Sequence, residues 1–234
     1  MEAFCRAVVL FTLAALTGCS ARTGVVVRSP EFSAATIPAN VTVELAPVAD
    51  TVAHNAPAWS SQDLSAEPWV MVGSNGAGLV WMTYLRFDLS AVPAGWEPQV
   101  ATLESDRLLT PQLPIGALRM QVDIRQIRGD WTEERVTWDS PVDADEDVVA
   151  TCELIEDSLP TDSCDVTELV LASLREGRTN LGILLSPSDP TVDFRRRWPG
   201  LTGALPSETS SVVDTSVVAD PTFRISLVLG SSAL

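Results

Sequence analysis

The chain contains no lysine. All of its basic residues are arginines, 15 against 31 acidic residues, giving a formal net charge of −16 over 234 residues. Without lysine there is no Schiff-base chemistry, no phosphate-loop lysine and no lysine general base. So acidic a chain also argues against nucleic acid as a partner, because the phosphate backbone is bound by clustered positive charge. Histidine is nearly as scarce. The one imidazole, His54, cannot build a histidine-rich metal site, nor by itself a nucleophile–base triad. Neither G-x-S-x-G nor HExxH occurs. The Gly-rich fragment at 73–78 lacks the strand–helix setting of a phosphate site and reads as a hairpin turn. An enzyme is therefore not expected. No stretch has the ~18 consecutive apolar residues of a membrane-spanning helix.

The N-terminus carries an address. After Arg6, residues 7–16 are apolar apart from Thr12, too short a run to cross a bilayer but suited to a secretory h-region. The run ends in Leu16-Thr17-Gly18-Cys19. This tetrapeptide resembles the lipobox of bacterial lipoproteins, and the resemblance implies cleavage before Cys19 and acylation of its thiol. Residues 1–18 are then a lipoprotein signal peptide. Residues 19–39 are the lipidated Cys19 and a polar, Pro-containing tether, and 40–234 are a single domain. Each buried methylene of the lipid contributes about 0.8 kcal/mol to membrane attachment. The expected location is exported and lipid-anchored, on the bacterial outer membrane or cell surface, with Ser20 after the cysteine favouring the outer membrane.

Only four cysteines are present. Processing removes Cys5 and lipidates Cys19, so Cys152 and Cys164 remain, bracketing the acidic loop CELIEDSLPTDSC. In an oxidising compartment they are expected to form a disulfide. Closing a loop of that size is worth roughly 3 kcal/mol in the chain-entropy model.

The domain itself is dominated by period two. Val41, Val43 and Leu45 alternate with polar residues. Trp81, Thr83, Leu85, Phe87 and Leu89 share one strand face, and Tyr84, Arg86 and Asp88 the other. The same alternation runs through Met120, Val122 and Ile124, and through Phe223, Ile225, Leu227 and Leu229. One segment, 165–174, reads as a short helix with Asp165 and Glu168 at capping-box spacing and Gly177 as its stop. The expected fold class is all-β, a β-sandwich or jelly roll with one short helix. The Ser/Thr/Pro-rich stretch 196–220 reads as a long loop, mobile or ligand-facing.

Several phrases occur in a characteristic order: VADTV at 48–52, YLRFDLS at 84–90 with Pro93, ATL at 101–103, DWTEERVTW at 130–138 with Pro141, DVT at 165–167 and NLGI at 180–183. Together they resemble the DNRLRE domain, a family of extracellular modules related to disaggregatase repeats and grouped with carbohydrate-binding modules. The resemblance spans about 41–229. It implies a β-sandwich, export, and a binding or structural role.

Seven tryptophans give that expectation a physical basis, because indole faces stack on the C–H faces of sugar rings. Trp59, Trp69 and Trp198 lie among Pro, Ser, Gly and Arg and are candidate carbohydrate contacts. Tyr84, Arg86 and Asp88, on the polar strand face, are candidates for sugar hydroxyls. Arg195 and Arg196, in the only basic cluster, are candidates for uronate or sulfate groups through bidentate contacts. Asp143, Asp145 and Asp147 alternate after a proline. They are candidate ligands of a structural calcium, the one cofactor the chain suggests. The expectation is a lipid-anchored, non-catalytic polysaccharide-binding module. The alternatives are a structural or adhesive envelope protein contacting other proteins, and a small polysaccharide-cleaving enzyme.

Overall fold

The computed structural model describes residues 40–106, 119–155, 161–201 and 223–231. Residues 1–39, which carry the expected signal peptide, Cys19 and tether, lie outside the described residues, as do residues 202–220 of the expected loop, while residues 196–199 of that stretch are strand and not loop. The chain is built from strands β1 (Asn40–Leu45), β2 (Pro47–His54), β3 (Trp69–Asn75), β4 (Val80–Asp88), β5 (Trp96–Asp106), β6 (Arg119–Ile127), β7 (Ala150–Ile155), β8 (Thr161–Asp165), β9 (Asn180–Pro187), β10 (Asp193–Pro199) and β11 (Phe223–Ser231). The one α-helix among the described residues is α1, Thr167–Arg175.

Two antiparallel sheets result. The smaller has the order β1-β11-β5-β8; the larger runs β10-β3-β4-β9-β6-β7, with β2 also paired to β4. Ala46 alone separates β1 from β2, so the chain passes from one sheet to the other in a single residue. The alternation seen in the sequence sorts the faces. Leu103, Ile225, Leu227 and Leu229 of the smaller sheet meet Leu85, Phe87, Val122, Ile124, Leu181 and Ile183 of the larger one in a continuous core. The fold is thus the β-sandwich expected from its period-two strands.

The helix begins two residues later than the spacing suggests. Asp165 closes β8, and its carboxylate accepts from the Thr167 backbone N–H at 2.9 Å and the Thr167 hydroxyl at 2.6 Å. These bonds hold the Asp165 carboxyl below the usual range. Gly177 stops the helix in a left-handed conformation, φ 72°.

Cys152 and Cys164 are joined. Cys152 lies on β7, the edge of the larger sheet, and Cys164 on β8, the edge of the smaller. The disulfide therefore staples the two layers together along one side of the sandwich.

The outer face of the larger sheet is covered over part of its width. The phrase at 130–138 lies across it, and Trp131 and Val136 pack with Tyr84, Ala49, Ala53, Ile127 and Leu184 in a second buried cluster. Glu133, in the same strap, accepts the backbone N–H of Asp50 on β2 at 2.7 Å. That bond occupies a donor on an edge strand which would otherwise be open to pairing.

Candidate functional site

The structure divides the sequence-derived candidates. Three belong to the interior, and their assignment as ligand contacts is corrected. Trp198 is 2% exposed, packs 5.0 Å from the Phe223 ring and belongs to the main core. On β10 the buried positions are Phe194, Arg196 and Trp198, so alternation turns Trp198 inward despite its Arg- and Pro-rich neighbours. Arg196 goes inward with it. Its guanidinium pairs with the buried Asp162 at 3.4 Å, donates to the Ile155 carbonyl at 2.9 Å and lies over the Phe194 ring. Tyr84 is fully buried beneath the strap, and desolvation pushes its phenol up to about 12. Its strand face reads as polar in sequence, but residues some fifty positions later cover it.

Asp88 is exposed and serves the chain itself. It caps the short 3-10 turn Leu89–Ala91 by accepting the Ser90 N–H at 2.8 Å. Side-chain and backbone bonds from Ser90 hold its carboxyl below the usual range. The acidic run does not close into a calcium cage. Both oxygens of Asp145 accept from Arg128 Nε, at 2.8 and 2.7 Å, while Asp143 and Asp147 are exposed. Among the described residues no group of three His, Cys, Asp or Glu side chains is arranged to hold a metal ion.

The remaining candidates Trp59, Trp69 and Arg195 come together, joined by three residues not selected from the sequence. The organising feature is one row across four strands. His54 of β2 stands opposite Trp81 of β4, Trp81 opposite Gly73 of β3, and Gly73 opposite Arg195 of β10. Gly73 has φ 138°, and a Cβ there would lie 2.2 Å from the Phe194 carbonyl oxygen, so the position admits only glycine. With no side chain between them, the Arg195 guanidinium reaches to 5.7 Å from the Trp81 ring. The His54 ring stacks on Trp81 at 4.3 Å and 13°. Trp59 meets His54 edge-on at 6.5 Å.

A parallel pair lies alongside. Arg197 lies over Trp69 at 4.6 Å, and among the described residues no carboxylate pairs with it. Val52, Leu64 and Met71 form a small buried cluster against which Trp69 and Trp81 pack. The half-exposed indoles are therefore fixed from below. Trp59 is held by a turn in which its N–H donates to the Ala56 carbonyl at 2.8 Å and Gln62 N–H donates to its own carbonyl at 3.0 Å. It stays 40% exposed. Each cation–π contact is worth about 0.5–2 kcal/mol. Such contacts orient a guanidinium by its face; Arg195 also donates to its neighbour Asp193 at 3.4 Å, whereas Arg197 has no carboxylate partner among the described residues. Burial keeps the His54 pKa below its ordinary value, so the ring is neutral at pH 7.

His54, Trp81 and Arg197 were missed for identifiable reasons. Trp81 shares strand parity with the core residues Leu85 and Phe87, and His54 is isolated in sequence. Arg197 could have been found: strict alternation on β10 sets Arg195 and Arg197 on one face and Arg196 on the other.

Arg86 belongs elsewhere, in a polar hollow of 230 Å³ at the far end of β4. It donates to the Trp131 carbonyl at 2.6 Å and lies 5.3 Å from that indole ring.

Residues 41–194 match the family model of carbohydrate-binding module family 96. No curated protein matches the chain.

Proposed function

The chain belongs to carbohydrate-binding module family 96, whose family model matches more than half of it, and on that premise we propose that it is a non-catalytic polysaccharide-binding protein held on the bacterial envelope by a lipid at Cys19. The observation that carries the reading is a row that runs from the exposed indole of Trp59 through His54 and Trp81 to the Arg195 guanidinium, with Arg197 oriented on the face of Trp69 alongside. An indole face takes the C–H face of a sugar ring, and the guanidinium N–H groups take its hydroxyl or carboxylate oxygens. A non-catalytic role is supported by the two residues that would serve a lyase as base. Tyr84 is buried under the strap, and His54 is stacked on Trp81.

The test is affinity electrophoresis of the full chain in gels cast with neutral or acidic polysaccharides, with and without calcium. Retardation by one polysaccharide class is expected, with Trp59→Ala and Arg197→Ala each reducing it several-fold and calcium making no difference. Unchanged mobility in every gel would refute the reading. Attachment is tested separately: metabolic palmitate labelling should appear in the wild type and vanish in Cys19→Ala.

A further inference from the structure

The hollow around Arg86 is shaped by residues without side chains. Gly182 on β9 stands opposite Arg86 on β4 and Ile127 on β6. A Cβ there would lie 2.8 Å from the Ile127 Cβ and 2.9 Å from the Ile127 carbonyl oxygen, so the floor remains bare backbone. At the rim, a Cβ on Gly129 or Gly177 would meet nothing within 4 Å. Three arginines line the space, but they are not equivalent. Arg178 and Arg128 are both engaged by Glu176, and Arg128 also by Asp145. Arg86 has no carboxylate partner among the described residues. Its one bond to the Trp131 carbonyl and its place over the indole ring fix its orientation and leave further N–H groups uncommitted. Asn180 and Asp130 share the same lining.

We infer that this hollow is a second carbohydrate site, one that takes a single sugar ring at a chain end. The inference rests on the carbohydrate-binding reading but uses different residues and a different part of the glycan. At 230 Å³ the hollow lies below the ~300–1,000 Å³ of pockets that enclose drug-sized molecules, which limits its occupant to one ring. Its polar groups suit vicinal hydroxyls, each of which both donates and accepts. Arg86 and Asn180 supply donors, and Asp130 supplies an acceptor. Trp131 is buried, so recognition here is by hydrogen bonds and not by stacking. The site is also separate from the Trp59 cluster. Arg86 is roughly 17 Å from Trp81 along β4, at about 3.3 Å per residue, and their positions alternate in face. An internal stretch of polysaccharide lying on Trp59 leaves this hollow empty; a chain end fills it.

The experiment is a titration of the full chain with free glucose, galactose, mannose, xylose, rhamnose and glucuronic acid, followed by the NMR resonance of the Trp131 indole N–H. At least one sugar should shift that resonance. Asn180→Ala, and Gly129→Phe, which crowds the rim at a position with open space, should each weaken the response at least tenfold. Trp59→Ala should leave it unchanged. The inference is overturned if no sugar moves the Trp131 resonance, if the response survives both hollow variants, or if Trp59→Ala abolishes it. Polysaccharide retardation without any monosaccharide response would refute the hollow alone. A Trp131 response without retardation would refute the Trp59 platform alone.

Discussion

At the residue scale, exposure separates tryptophans that the sequence presents alike. Trp59 and Trp198 both sit among small, polar or charged neighbours, yet one is 40% exposed and the other 2%. Trp198→Ala should cost about 3–5 kcal/mol, the range for truncating a buried aromatic, whereas Trp59→Ala should cost under about 1 kcal/mol. Urea unfolding midpoints of the two variants will show it, and equal losses would contradict the burial assignment. Asp50 supplies a second prediction. Its carboxylate is buried and accepts the Leu201 N–H at 2.9 Å. Desolvation raises its pKa to about 6; the Leu201 bond partly offsets this, and the nearby Glu133 adds to it. Between the ordinary carboxylate range and about 6 the native state therefore holds this proton more tightly than the unfolded chain. The contribution is fully present below the unfolded value of about 4 and is lost as pH rises through about 6. Asp50→Asn keeps an acceptor for Leu201 and removes the charge. It should stabilise the protein at pH 7 by about 1–3 kcal/mol and flatten the decline between pH 4 and 6 in urea-unfolding free energies. A variant no more stable than wild type at pH 7 would count against a raised Asp50 pKa.

At the scale of elements, period two located β1, β4, β6 and β11 and separated Leu85 and Phe87 from Tyr84 and Arg86, but it did not mark the other strands among the described residues. It could not reveal what would cover the second face. Tyr84 is buried because Trp131 and Val136 return to it from the strap, a contact between distant segments that leaves no local signal. The candidate row is illegible in the sequence for the same reason: His54, Gly73, Trp81 and Arg195 meet only through strand register. Cysteine pairing, by contrast, followed from counting, since once Cys5 and Cys19 are assigned to processing only one pair is left. What counting could not show is that this pair joins β7 to β8, and so one sheet to the other. Cys152→Ser with Cys164→Ser should therefore lower the unfolding free energy by about 2–4 kcal/mol. Hydrogen exchange in β7 and β8 should rise more than in the distant β1–β11 pair. Uniform exchange throughout would argue against a local staple.

At the scale of the molecule, the chain carries a charge of −16 and its cations are arginines, and the absence of lysine leaves no lysine-based chemistry. These totals could not indicate where the few cations would matter. Arg195 and Arg197 lie on indoles, Arg196 is buried against Asp162, and Arg86 lines a hollow in another part of the sheet. The row from His54 to Arg195 has one further implication, concerning time. His54, Gly73 and Trp81 come from the first strands of the domain and Arg195 from more than a hundred residues later, so Arg195 can take its place beside Gly73 only after β10 has docked on β3. Contacts so distant in sequence form late, because the intervening chain must first be closed into a loop. A partly folded chain in which β10 has not yet docked on β3 therefore lacks this row altogether, and the row is complete only when the larger sheet is.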